Sequence, residues 1–114
     1  MKIEKDATKK WISALEKCKE NGININLSRS AIFRAQKPRR ERTKVTLLKL
    51  EKYVKDNENI IIPGKVLGTG KITKKFNISA IEYSESSLQK LQEAGCKIVD
   101  IESMMKNNNV RIIV

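Results

Sequence analysis

The sequence predicts a mixed α/β fold, in which short strands and helices alternate in an irregular winding behind N-terminal helices. Two observations carry this prediction. Apolar residues recur at three- and four-residue steps early in the chain, and short apolar runs alternate with helical patterns from residue 43 onward. The 114 residues, 39% of them hydrophobic, suffice for one domain with a modest core. We therefore expect a single domain over residues 1–114, with a helical part at about 5–36.

Two helices are predicted in this N-terminal part. The first covers Asp6–Glu20, because Trp11, Leu15 and Cys18 share one face and Asn21-Gly22 follows where a helix would close. The second covers Ser28–Gln36, with Ser28 as its N-cap. Pro38 cannot continue that helix, so residues 37–44 are predicted to be a basic connector whose segment Lys37–Arg42 is extended.

The remaining elements follow from short apolar patterns and from turn residues. A strand is predicted at Thr43–Thr46, a helix at Leu47–Val54 and a buried strand at Asn59–Pro63. Further on, we predict a strand at Phe76–Ile81, a helix capped by Ser84 and closed by Gly95, a strand at Cys96–Val99, a helix from Asp100 to Lys106 and a strand at Val110–Val114. Phe76, Ile78 and Ala80 alternate with Asn77, Ser79 and Ile81, and an alternation of this kind is typical of a strand, in which successive side chains point to opposite faces.

Positive charge is the most unusual property of the composition. The chain has 24 Lys and Arg against 13 Asp and Glu, a formal net charge of +11. Residues 29–44 carry a net charge of +6 and residues 64–75 a net charge of +4, so two short stretches hold nearly all of the excess. Such segregation indicates a polyanionic partner.

The second stretch, PGKVLGTGK at residues 63–71, contains three glycines and raises the question of a phosphate-binding loop. A Walker loop needs four residues between its glycines and then Lys-Ser or Lys-Thr, but here five residues separate Gly64 from Gly70, and Ile72 follows Lys71. The dinucleotide fingerprint would need glycine at Thr73. Two interpretations remain open: Pro63-Gly64 forms a turn with positive φ at Gly68 and Gly70 in a second turn, or these glycines also let the backbone approach a nucleic acid.

The first basic stretch favours phosphate recognition over a merely solvated face. Five of the six arginines lie between Arg29 and Arg42, and the guanidinium group binds phosphate in a bidentate manner. The residues predicted to bind RNA are therefore Arg29, Arg34, Lys37, Arg39, Arg40, Arg42, Lys44, Gly64, Lys65, Gly68, Gly70, Lys71, Lys74 and Lys75.

Catalytic and metal-binding patterns are missing from the sequence. Histidine is absent, no nucleophile or carboxylate pair has a catalytic setting, and Cys18 and Cys96 are isolated from each other. We expect no enzymatic activity, no cofactor, no metal and no small-molecule substrate, and we expect two free thiols in a cytoplasmic protein without a membrane segment. Trp11 is predicted to be a core residue, and few aromatic residues remain for base stacking.

The stretch IIIPGKVLGTGKITKKFNISAIEYSESSLQKLQEAG at residues 60–95 resembles the archaeal and eukaryotic large-ribosomal-subunit protein eighteen-e family. That family shares its fold superfamily with the C-terminal part of bacterial large-subunit protein fifteen. KPRRER at residues 37–42 and NVRIIV at residues 109–114 are also similar to it, and the short length looks archaeal. The sequence departs from the family at Cys96, where glycine is common, and near Ile25–Ser28, where tryptophan is common.

The resemblance implies a structural protein of the large ribosomal subunit that binds ribosomal RNA, contacts neighbouring ribosomal proteins and supports assembly and translation. It also implies an irregular winding of strand and helix units. The alternative is another basic nucleic-acid-binding protein, such as a chromosomal DNA binder, although neither a recognition helix nor a shape-reading sheet is evident in the sequence.

Overall fold

The structure is a computed structural model that describes residues 2–107 and 109–114, without the side chains of residues 2–7 and 39. Its helices are α1 (Lys2–Glu20), α2 (Ile25–Ala35), α3 (Leu47–Tyr53), α4 (Glu85–Ala94) and α5 (Ile101–Met105), and Arg39–Glu41 form one turn of 3-10 helix. The strands are β1 (Thr43–Thr46), β2 (Asn59–Leu67), β3 (Asn77–Tyr83), β4 (Lys97–Ile98) and β5 (Val110–Ile112). The predicted mixed α/β fold is confirmed.

All described strand pairs are parallel, and β2 is the centre of the sheet. Along one side it pairs with β3, which pairs with β4. Along its other side it pairs with two strands in succession: Asn59 to Ile61 face β5, and Gly64 to Leu67 face β1. Parallel neighbours need crossover connections, which here are supplied by helices and loops.

Helices cover both faces of the sheet and create two core clusters. On one face α1, α2 and α5 pack against Ile61 and Ile81 with Trp11, Leu15 and Met104 among the buried residues. On the other face α3 and α4 pack against the remaining strand residues, with Leu50 and Leu91 fully buried. A sheet buried on both faces needs near-continuous apolar strands, so Ile78, Ser79, Ala80 and Ile81 are all buried. The predicted strand is confirmed, and both of its alternating sets of side chains contribute buried residues.

The start of α2 differs from the prediction. The helix begins at Ile25, and Ser28 lies buried inside it instead of capping it. The residue before the helix, Asn24, has a left-handed backbone with φ of 45°, and its side-chain amide donates to the carbonyl oxygens of Met105 and Asn107 at 2.7 Å and 3.1 Å. These two bonds, to the last residue of α5 and to Asn107 beyond it, hold the residue that precedes the helix, and they depend on residues about 80 positions away in sequence.

The connector and the glycine stretch also differ. Residues Arg39–Glu41 form a turn, closed by a hydrogen bond from the Glu41 amide to the Pro38 carbonyl oxygen at 2.8 Å, so the connector is not extended throughout. Pro63 and Gly64 do not form a turn either, because β2 runs through both residues to Leu67. The register with β3 shifts between Ile62 and Lys65, which marks a bulge at this proline and glycine. A bulge is where a strand tolerates a residue that lacks an amide hydrogen.

Candidate nucleic-acid interface

The sheet brings the two basic stretches into direct contact. In the parallel pairing of β1 with β2, Thr43 lies beside Gly64 and Lys44 lies beside Lys65. Neighbouring strands are about 4.8 Å apart, and register partners point their side chains to the same side. The end of the connector and the start of the glycine stretch, which lie 21 residues apart in sequence, therefore form one surface.

This surface borders an open cleft of about 670 Å³. Four cationic side chains line it, from Arg40, Arg42, Lys44 and Lys65, and Glu82 is the one acidic residue among the described lining residues. Its apolar walls come mainly from Pro38, Leu67 and Ile81, and Thr43 and Gly64 complete the lining. Glu82 is the register partner of Lys65 on β3. When this pair is counted as neutral, Arg40, Arg42 and Lys44 still give the cleft a positive charge.

Arg42 supports the cleft as well as lining it. Its Nε donates to the carbonyl oxygen of Lys37 at 2.9 Å, and its Nη1 donates to Oγ1 of Thr8 on α1 at 3.3 Å. These bonds fold the connector back onto the first helix. Arg40 is exposed, and Lys44 is exposed as well. Arg40 and Lys44 therefore have more freedom than Arg42 to meet a ligand.

The three glycines of the second stretch are explained by packing inside the chain. A β-carbon at Gly64 would lie 1.9 Å from the carbonyl oxygen of Thr43, and one at Gly68 would lie 1.9 Å from Oγ of Ser86. At Gly70 it would lie 2.5 Å from the amide nitrogen of Leu48. The predicted positive φ is confirmed at Gly70, with 107°, and is wrong at Gly68. A contact of these backbones with RNA stays a prediction.

The lysines of the second stretch have different surroundings. Lys74 donates hydrogen bonds from its ammonium group to the carbonyl oxygens of Glu51 and Val54 at 2.6 Å and 2.9 Å, where α3 ends. Lys71 and Lys75 are exposed. Lys71 borders a second, smaller cleft of about 460 Å³ together with Gly70, Lys90 and Glu93.

Lys90, which the sequence reasoning missed, holds the glycine loop in place. From α4 its ammonium group donates to the carbonyl oxygens of Gly68 at 2.8 Å and Gly70 at 3.1 Å. In sequence it is an ordinary exposed lysine on a helix, and only the tertiary packing of α4 against the loop brings it there. Lys90 adds one more cation beside the predicted set.

The remaining predicted residues lie on or near α2. Arg29 is exposed, Arg34 is half-buried, and Lys37 places its Nζ 5.5 Å from the centre of the Phe33 ring. The Arg39 side chain lies outside the described part of the chain, and an RNA-binding role of all these residues stays a prediction. The structure thus unites Arg40, Arg42, Lys44, Gly64 and Lys65 at one cleft. Apart from Arg39, the other predicted residues lie elsewhere: on the surface for Arg29, Arg34, Lys37, Lys71 and Lys75, in a contact within the chain for Lys74, and against packed neighbours for Gly68 and Gly70.

Other chemistry is not apparent in the described residues. Among them no group of three His, Cys, Asp or Glu residues could hold a metal ion. Both cysteines are buried, and burial raises the pKa of each thiol above its usual range. Within residues 2–107 and 109–114, none of the helices combines the length and apolar character that a membrane crossing requires. Trp11 is 6% exposed, which confirms the predicted core position.

Fold and cleft together define a small basic α/β protein with a cationic cleft that suits a polyanion. The family model described as ribosomal proteins 50S-L15, 50S-L18e and 60S-L27A matches residues 9–99, which include both basic stretches. The chain belongs to this ribosomal protein family, and the resemblance seen in the sequence is confirmed.

Curated relatives include several archaeal proteins named large ribosomal subunit protein eL18. That of Archaeoglobus fulgidus is 45% identical over 75 residues, which are 66% of this chain and 64% of the relative. That of Thermoplasma acidophilum is 40% identical over 79 residues, 66% of each protein. That of Thermoplasma volcanium is 35% identical over 105 residues, 89% of this chain and 84% of the relative. The similarity thus spans just under two thirds of the first two relatives and most of the third.

Proposed function

We propose that this chain is a structural component of the large ribosomal subunit and that it binds ribosomal RNA through the cleft between the connector and β2. In this role it acts in the cytoplasm on the ribosome, next to other ribosomal proteins, and supports assembly and translation without catalysis or cofactor. The proposal is supported by the family of the chain, by the printed names of its relatives, and by the segregation of its charge.

The single observation that carries the proposal is the pairing of Lys44 with Lys65. Two like charges at neighbouring sheet positions repel each other, which costs stability. A phosphate group between them removes this repulsion and gains two charge-assisted hydrogen bonds. Arg40, on the rim of the same cleft, adds a third cation for the neighbouring phosphate.

Recognition of shape fits this surface better than recognition of sequence. A-form RNA helices present a shallow minor groove and phosphate backbones, and the folded RNA of a ribosome presents irregular surfaces. The cleft offers cations and apolar walls, but among its described lining residues Glu82 is the only carboxylate and there is no side-chain amide. We therefore expect affinity to be mainly electrostatic and dependent on salt.

The test compares two double variants that each remove two positive charges. K44Q/K65Q removes the lysine pair at the cleft, and K17Q/K19Q removes two exposed lysines in the last turn of α1, far along that helix from the contact between Thr8 and Arg42. Affinity for protein-free large-subunit ribosomal RNA is measured by filter binding over a series of salt concentrations. Arg42 is left intact, because its loss would also disturb the connector.

For K44Q/K65Q we expect weaker binding and a salt slope that is smaller by about 1.5, the value for two lost phosphate contacts. For K17Q/K19Q we expect less than half of that change. Equal slopes in the two variants would remove the cleft from the interface. A preference of the wild-type protein for duplex DNA over ribosomal RNA would overturn the proposal in favour of a chromosomal DNA binder.

Membership of the subunit is tested by sedimentation of cell extract through a sucrose gradient after a wash at high salt. An integral ribosomal protein remains with the large subunit, whereas a peripheral electrostatic binder is released as counterions compete. Loss of the chain from the large-subunit fraction after the wash would contradict an integral structural role.

A further inference from the structure

The outward side of α2 carries an exposed phenylalanine between two cations. Ile25, Arg29 and Phe33 follow one another at four-residue steps, so they form one row along the helix surface. Lys37, four residues further and just beyond the helix, brings its Nζ to 5.5 Å from the centre of the Phe33 ring. Along the helix, the row therefore presents an apolar residue, a cation, an aromatic ring and a second cation.

Phe33 has no role in the core. The residue is 67% exposed. The neighbouring apolar residues of α2 are instead buried against α1 and the sheet, namely Ala31, Ile32 and Ala35. Phenylalanine is among the residues most often buried, and here its exposed ring lies in one row with two cations, so an aromatic face and two positive charges are offered to solvent together. Lys37 stands over one face of the ring at most, which leaves the rest of the ring to solvent.

The charge around this ring favours a nucleic-acid partner over a protein partner. Residues 21–40 contain five basic residues and no acidic residue. A nucleotide combines a flat π-face, which stacks on an aromatic ring, with a phosphate on either side, which binds a cation. The order of Arg29, Phe33 and Lys37 supplies those groups in that arrangement.

Phe33 also lies close in sequence to residues of the cleft. Pro38, which lines the cleft, follows Lys37 directly in the chain, and Arg40, which also lines it, comes two residues after Pro38. We therefore expect an RNA strand that leaves the cleft along the connector to meet Lys37 first and then Phe33.

We propose that Phe33 is a stacking platform for one unpaired RNA base, with Arg29 and Lys37 on the flanking phosphates. This inference rests on the proposed RNA-binding function and adds to it a contact with a base. Such a contact distinguishes unpaired from fully paired RNA, because a base within a duplex has no free face to offer.

The first experiment measures binding of a ten-residue oligoadenylate and of a fully paired RNA duplex to the wild-type protein and to F33L, F33Y and Y53L. Tyr53 is a matched control: it is 54% exposed and has Nζ of Lys52 at 5.6 Å from its ring centre, but it lies on α3 near Glu58 and Arg111. Because Phe33 is exposed, F33L should keep its fold, which circular dichroism and thermal unfolding check.

F33L should bind oligoadenylate roughly fivefold or more weakly than the wild-type protein, within the range of single base-stacking contacts. F33Y should bind like the wild type, and Y53L should too. Affinity for the duplex and the salt slope should not change in F33L, because no charge is removed. Equal binding of oligoadenylate by F33L and the wild type would overturn the inference.

A second readout uses tryptophan fluorescence. The natural Trp11 is buried, so F33W introduces a solvent-exposed indole at the proposed platform, and Y53W introduces one at the control site. Oligoadenylate should quench the added fluorescence of F33W and leave that of Y53W unchanged. Equal quenching at both sites, or at neither, would contradict the inference.

The two proposals fail in different ways. If the wild-type protein bound neither of these RNAs and also failed to bind protein-free large-subunit ribosomal RNA, both proposals would fall. If it bound both with a normal salt dependence but F33L bound equally well and F33W were not quenched, only the stacking platform would fall. Phe33 would then be available for a neighbouring protein.

Discussion

Gly64 approaches Thr43 so closely that β1 can pair with β2 only because residue 64 has no side chain. A β-carbon at Gly64 would lie 1.9 Å from the carbonyl oxygen of Thr43 and 2.9 Å from its carbonyl carbon. Both atoms belong to the backbone of a paired strand, so neither can move without separating the strands. The same contact places Lys44 beside Lys65, and the cleft therefore depends on it too.

The substitution G64A should lower the free energy of unfolding by about 3 kcal/mol or more, at the upper end of the cost of overpacking a dense site. Urea unfolding measures this change. The control is G22A, because a β-carbon at Gly22 meets nothing within 4 Å. Its φ of +74° still costs an alanine about 1–2 kcal/mol. A smaller loss in G64A than in G22A would contradict the close approach of the two strands.

Neighbouring lysines in the glycine stretch should respond differently to the same substitution. K74Q removes the hydrogen bonds to the carbonyl oxygens of Glu51 and Val54, which should cost about 1–2 kcal/mol of stability. K75Q removes the same charge from an exposed side chain, so the free energy of unfolding should change by less than about 0.5 kcal/mol. Thermal or urea unfolding of the pair compares them directly. Equal stabilities would show that Lys74 does not support the end of α3.

Most of the fold could be predicted from local patterns because its elements have strong local signals. Ser84 caps α4 by accepting a hydrogen bond from the Ser87 amide, and Gly95 closes that helix with φ of 90°, both as expected from sequence. The start of α2 could not be predicted, since Asn24 is held by carbonyl groups of residues 105 and 107. The continuation of β2 through Pro63 also needs a partner strand that the sequence does not identify.

In the candidate site, too, some features could be predicted from the sequence and others depend on tertiary packing. Composition and charge identified both basic stretches, but the neighbourhood of Lys44 and Lys65 exists only in the sheet register. The glycines looked like a surface for a ligand, yet the space beside each one is filled by Thr43, Ser86 or Leu48. The exposure of Phe33 could not be quantified from the sequence, because it depends on how α2 packs against α1 and the sheet.

Both thiols should be unreactive in the native protein. Cys18 is 3% exposed and Cys96 is 7% exposed, and burial raises the pKa of each, so little of the reactive thiolate forms near neutral pH. With an aromatic disulfide reagent we expect slow reaction of the folded chain and rapid release of two equivalents in denaturant. Fast release of one equivalent from the folded chain would contradict the burial of that cysteine.

Glu51 should make the stability of the protein depend on pH on the acid side. Hydrogen bonds from the Thr73 hydroxyl, and then from the Thr73 amide, lower the pKa of this carboxyl group below its usual value. A lowered pKa in the folded state means that the ionised form contributes stability above the ordinary glutamate pKa. This contribution disappears as the pH falls through the lower folded value.

The variant E51Q should therefore be less stable than the wild-type protein at neutral pH, and the difference between them should shrink as the pH falls through that window. E16Q is the control, because Glu16 is an exposed carboxylate on α1. Urea unfolding at a series of pH values from neutral to acid measures both differences. A gap between E51Q and the wild type that stayed constant over the series would mean that the bond to Thr73 does not depend on the charge of Glu51.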